Sequence, residues 1–84
     1  MSIKNPKSEL QELTQKLNKT TPNYKTEECS FATVFYNKPM FSSELTLEFK
    51  NKTHKFQSGG AFESKKIAEA KAAQNALKKI NNHL

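Results

Sequence analysis

Apolar positions along this chain keep two different rhythms. Leu10, Leu13 and Leu17 recur three and four residues apart, the spacing that lines up side chains on one face of an α-helix. Asn5-Pro6 stands just ahead of them, with Glu9 and Glu12 in the early turns. Asn is a good helix cap, Pro suits the first helical position, and acids suit the positive end of the helix dipole. The spacing predicts a helix over Pro6–Asn18, stopped by the "NKTTPN" stretch, because Pro22 pushes the preceding residue out of helical conformation.

From Tyr24 to Ser58 the rhythm changes to two. In "ELTLEF", Leu45, Leu47 and Phe49 face one way while Glu44, Thr46 and Glu48 face the other. "KNK" reads as a turn and "THKFQS" as a strand returning by hairpin. A first strand starts near Tyr24 and is expected to run on through "SFATVFY", with "NKPM" as its turn. On that strand Ala32, Val34 and Tyr36 would share one face, with Phe31 and Phe35 on the other.

After the loop at Gly59-Gly60 the helical rhythm returns. Ser64 is a capping residue, and a helix is predicted from Ser64 to about Asn82, with Ile67, Ala70, Ala73, Leu77 and Ile80 as its apolar stripe. The order is α-β-β-β-α, an α+β chain. Neither helix buries its stripe alone, so both are expected on one face of a three-stranded antiparallel sheet. The remaining core is expected from the three leucines of the first helix, Leu45, Leu47, Phe49, Phe56 and Tyr24.

With 84 residues the chain suits one small domain and one core, here with a folded part over about 6–82 and an extended β1–β2 region over about 29–43. Charge sharpens this picture. There are 14 basic residues, all lysine, against 8 acidic ones, a net charge of +6. That excess suits a polyanionic partner. Lysine acts on phosphate as a point charge, whereas arginine is the usual bidentate reader of guanine edges. The balance therefore favours binding to a nucleic-acid backbone over reading of sequence.

Enzyme chemistry finds no footing. Cys29 is the sole cysteine, so neither an internal disulfide nor a cysteine-based zinc site can form, and it lacks the histidine base and orienting group of a nucleophile. His54 and His83 have no metal or catalytic partner in the pattern, the acids are scattered glutamates, and Gly59-Gly60 lacks the phosphate-loop spacing. No catalytic residue, metal or cofactor is expected. The opening residues hold no long apolar run, so neither a secretory leader nor a membrane span is expected, and the expected location is intracellular, in cytoplasm or nucleus.

Four segments together carry a resemblance: "NPKSELQEL", "TPNY", "ELTLEFKNKTHKFQSGGAF" and "SKKIAEAKAAQNAL". In this order the chain resembles the double-stranded RNA-binding domain family along nearly its whole length. The resemblance implies a non-catalytic module that recognises A-form RNA by shape, backbone and 2′-hydroxyl contacts. It places Lys65 and Lys66 on phosphates across the major groove. It places Ser8, Gln11, Glu12 and Gln15 in a minor groove, where Glu12 would accept hydrogen bonds from 2′-hydroxyls or a guanine amino group. Lys71, Lys78 and Lys79 read as solvated face. Such modules occur in ribonuclease III-type and Dicer-like enzymes, their partners, and other RNA-processing or RNA-silencing proteins. DNA is not an expected partner.

Two departures from the family pattern stand out. Glu69 takes the place of a third motif lysine, and with Glu63 it weakens the field at the last helix. The usual loop motif between the first two strands is replaced by the longer "CSFATVFYNKPMF". Asn37 and Lys38, at a hairpin tip, are the candidates to take over its groove contact. The apolar excess of this insertion raises an alternative, a protein-binding or self-associating surface of Phe31, Phe35, Met40 and Phe41 on a module with weak or no RNA binding. A basic domain binding DNA and RNA alike is a third reading.

Overall fold

The computed structural model describes residues 5–18, 21–49 and 51–83. Its elements are α1 (Pro6–Asn18), β1 (Asn23–Glu28), α2 (Ser30–Tyr36), β2 (Phe41–Phe49), β3 (Lys52–Gln57) and α3 (Lys65–His83). The sheet is three-stranded and antiparallel in the order β1-β2-β3. This is the expected α-β-β-β-α arrangement with one short helix, α2, inserted between the first two strands.

Local chemistry starts each long helix where the sequence predicts. Asn5 caps α1 by accepting the Lys7 backbone N–H on Oδ1 at 2.9 Å. Ser64 caps α3 by accepting the Ile67 N–H on Oγ at 3.0 Å. Asn51, with φ 62, makes the left-handed turn between β2 and β3. Its neighbour Lys50, also part of the predicted turn, lies outside the described residues.

The strand register puts Tyr24, Leu45 and Phe56 in one row across the sheet, pointing toward the helices. Leu10, Leu45, Leu47, Ala72, Ala73, Ala76, Leu77 and Ile80 form the core, with Leu13, Tyr24 and Phe56 packed at its margin. Ala68, Ala72, Ala73 and Ala76 are fully buried, so α3 lies close on the sheet because methyl groups are all that stand between them. The predicted core side chains of Leu17 and Phe49, and the side chain of His83, lie outside the described residues.

One core expectation is corrected. Ile67 is 46% exposed. The buried rows of α3 run through 68, 72, 76 and 80 and through 73 and 77, so Ala68 occupies the position facing the sheet. Ile67, one residue earlier, is turned about 100° away.

The larger correction concerns "SFATVFY", which is helix α2 and not an extension of β1. Phe31 and Phe35, like Ala32 and Tyr36, are four apart, so the period-two reading has an equally good helical one. The stop signal settles it. Asn37 is a left-handed C-cap with φ 56 and ψ 38, and Pro39 follows two residues later. The N–H groups of Asn37 and Lys38 return to the Val34 and Thr33 carbonyls at 3.3 and 3.2 Å. The base of the excursion is clipped shut: the Cys29 N–H donates to the Met40 carbonyl at 2.7 Å, and the Met40 N–H donates to Thr33 Oγ1 at 3.0 Å.

Candidate nucleic-acid interface

Ser8, Gln11, Glu12 and Gln15 are all exposed. Their spacing of three, four and seven from Ser8 makes them one face of α1, opposite the buried Leu10 and Thr14. Burial of Leu10 and Thr14 thus holds this polar face outward. Thr14, which the sequence pattern does not single out, turns its hydroxyl back to the Gln11 carbonyl at 3.1 Å and so is satisfied inside the core.

Lys65 and Lys66 are the first two residues of α3 and both are exposed. Ser64 satisfies the Ile67 N–H, and the first turn contains no acid. The N–H groups of Lys65 and Lys66 precede the first intrahelical donor, so the positive end of the helix dipole and two ammonium groups coincide. This is an arrangement suited to an anion. The Lys65 ammonium lies 5.6 Å from the centre of the Phe41 ring, a cation–π contact that orients it.

The two acids near this helix end are both engaged. The Glu63 carboxylate accepts a hydrogen bond from Lys38 Nζ, and this bond and the lysine charge hold its carboxyl below the ordinary value. Glu69 turns away from solvent, its side chain 21% exposed, toward α1 and β1. It accepts from Lys7 Nζ, and from Thr26 Oγ1 at 2.7 Å. The Lys7 hydrogen bond is the main reason its carboxyl lies below the usual range; the Thr26 bond and the charges of Lys7 and Lys65 add to it against the opposing effect of burial. Glu69 therefore acts between elements of the fold.

The Thr26 hydroxyl also meets Ser43 Oγ at 3.1 Å, and Ser58 Oγ accepts the Ser43 N–H at 3.2 Å while donating to the Gly60 carbonyl at 2.8 Å. A line of small polar groups thus runs under the sheet from Glu69 to the loop before α3. Sequence pattern gives no sign of Lys7, Thr26 or Ser43 as partners; only their spacing across three elements makes them so.

The insertion departs from its expected form. Asn37 sits at the end of α2, not at a hairpin tip, and Lys38 is drawn to Glu63 beside the α3 N-terminus. Met40 is buried, 6% exposed, and Phe41 is half-buried, its backbone paired with Phe62. Met40 therefore does not belong to an open apolar surface, and Phe41 is only partly open. Phe31, Val34, Phe35 and Tyr36 are exposed, at 82, 81, 73 and 55%, and Ala32 alone anchors α2 inward.

Among the described residues, no group of three His, Cys, Asp or Glu side chains is placed to hold a metal ion, and no helix is long and apolar enough to cross a membrane. No curated protein sequence matches the chain. The family model of the double-stranded RNA binding motif matches residues 6–80, from the start of α1 to the last buried residue of α3. That span takes in the exposed α1 face, the sheet and the lysine-bearing helix end, and it places this chain in the double-stranded RNA-binding motif family.

Proposed function

We propose that the chain holds duplex RNA between the exposed α1 face and the N-terminus of α3. The family binds double-stranded RNA, and the observation that carries the assignment to residues is the pairing of Lys65 and Lys66 with an acid-free helix start. Phosphates meet these lysines and the adjacent N–H groups. Gln11 and Glu12, with Ser8 and Gln15 beside them, meet the 2′-hydroxyls of a minor groove, which is what separates RNA from DNA. Lys38 pairs with Glu63 just ahead of this helix end and offsets that acid's charge, and Asn37 stands next to it. A module of this kind delivers RNA to a processing or silencing activity carried elsewhere.

The test is a titration near physiological salt against an RNA duplex of about 20 base pairs, longer than the roughly 16 that such a module spans, and against the matching DNA. Binding to RNA with DNA ignored is the expected result. Equal binding to both, with a steep salt dependence, would replace this reading with unspecific backbone attraction. A protein-contact role alongside RNA draws support from the four exposed apolar side chains of α2.

A further inference from the structure

Beside α2 runs an open groove of about 790 Å³. Phe31, Phe35 and Tyr36 wall one side. Lys25, Glu44 and Gln57 also line it; they are register partners across β1, β2 and β3, on the sheet face averted from the helices. None of Ser8, Gln11, Glu12, Gln15, Lys65 or Lys66 borders it. We propose that this groove and α2 form the contact by which two copies of the chain pair, a proposal that rests on the protein-contact reading of α2 and not on the RNA contacts.

Charge selects the partner. The chain carries +6, yet α2 has no charged residue, and the groove holds Glu27 and Glu44 against Lys25. Lys25 is in turn 3.6 Å from Glu27. Nucleic acid gains nothing here, since carboxylates repel it and no cation is left over for it. Two copies of a basic protein repel each other over most of their surface. Through this face they meet with neutral helix against neutral helix.

Shape agrees. Phe31 and Phe35, four apart, form one stripe along the two turns of α2. A twofold axis between antiparallel α2 helices sets Phe31 of one copy against Phe35 of the other, so the stripe is its own complement. Phe35 and Tyr36 already stand edge to face with centroids 4.9 Å apart, which lowers the ordering cost of association. At their observed exposures the three aromatics offer on the order of 400 Å² per copy, about half of a standard interface side of about 800 Å². That is the scale of a small, weak dimer contact.

The test is sedimentation equilibrium of the full chain over about 10–500 µM, the range suited to weak interfaces, with reductant present so that Cys29 cannot cross-link copies. The apparent mass should rise from 9.6 kDa toward twice that value. The double substitution Phe31→Ser/Phe35→Ser should hold it at the monomer mass, and Val34→Lys, on the same exposed helix, should weaken pairing at least tenfold. Both variants should keep the wild-type circular dichroism and bind duplex RNA as wild type does at concentrations below the dimer range. Wild type that stays at monomer mass throughout overturns the proposal and leaves the face to a partner of other chemistry. Pairing that survives in both variants overturns it as well. RNA binding is read separately, so its failure leaves the pairing result intact, and the reverse holds.

Discussion

The Glu69 carboxylate of α3 is bound by the ammonium of Lys7 from α1 at 2.5 Å. With Thr26 on its second oxygen at 2.7 Å, one carboxylate ties α1, α3 and β1 together. Two of these elements carry the residues proposed to meet RNA, so this contact joins them beside the shared core. An acid that weakens the phosphate field in a linear reading becomes, in the fold, a tie between α3, α1 and β1.

Replacing Glu69 by Gln keeps shape and removes the charge. The cost should be about 1 kcal/mol at neutral pH, a charged hydrogen bond discounted for partial exposure. The folded carboxyl lies below its unfolded value, so its contribution is complete above the ordinary glutamate value of about 4.3 and is lost as pH falls through the folded value. Urea midpoints of wild type and Glu69→Gln should therefore converge as pH drops below about 4. A gap that does not change with pH would mean that the ion pair does not stabilise the fold.

Lys65→Ala/Lys66→Ala should separate binding from stability. Affinity for duplex RNA should fall at least tenfold, and the slope of log affinity against log salt should flatten by about one for each phosphate that is no longer neutralised. The fold should be untouched or gain a few tenths of a kcal/mol, because two cations leave the positive end of a helix. A matching drop in urea midpoint would assign these lysines to the fold instead.

The Tyr24 hydroxyl is buried with no hydrogen-bond partner among the described residues, while the Lys7 ammonium lies 4.8 Å from the centre of its ring. Burial, and secondarily the Glu69 charge, push its phenol up to about 12. Tyr24→Phe should be neutral or stabilising by up to about 1 kcal/mol, since it deletes an orphan polar atom and keeps the ring. A raised phenol value means that this group's contribution is complete below its ordinary value of about 10 and is lost as pH rises through the folded one. Alkaline unfolding should therefore set in earlier for wild type than for Tyr24→Phe. A variant that loses more than 1 kcal/mol would reveal a bond to that hydroxyl.

Close approach of α3 to the sheet rests on fully buried alanines. Ala76→Leu inserts three carbons where no space exists and should cost about 1–3 kcal/mol. Gln74→Leu, on the exposed side of the same helix, should be nearly neutral. Equal urea midpoints for both variants would show that α3 has room to move away from the sheet.

Both long helices, their caps, the β2–β3 hairpin and the lysine pair were legible because each rests on short-range chemistry. Caps act within three residues, the two rhythms repeat within a segment, and Pro22 acts on its neighbour. Reading α2 as a strand shows where this fails. Seven residues with aromatics four apart satisfy both periods, and the deciding signal was a single Asn two residues before a Pro.

By itself the sequence determined the type of every element except α2, the side of the sheet that is apolar, the basic balance and the family. Only the tertiary structure decided which residues meet across elements. It turned Ile67 outward, buried Met40, drew Lys38 to Glu63 and gave Glu69 to Lys7 and Thr26. The reason is physical. Periodicity reports which side of an element faces the core, whereas a hydrogen bond between residues 62 positions apart depends on how closely small side chains let two helices and a sheet approach.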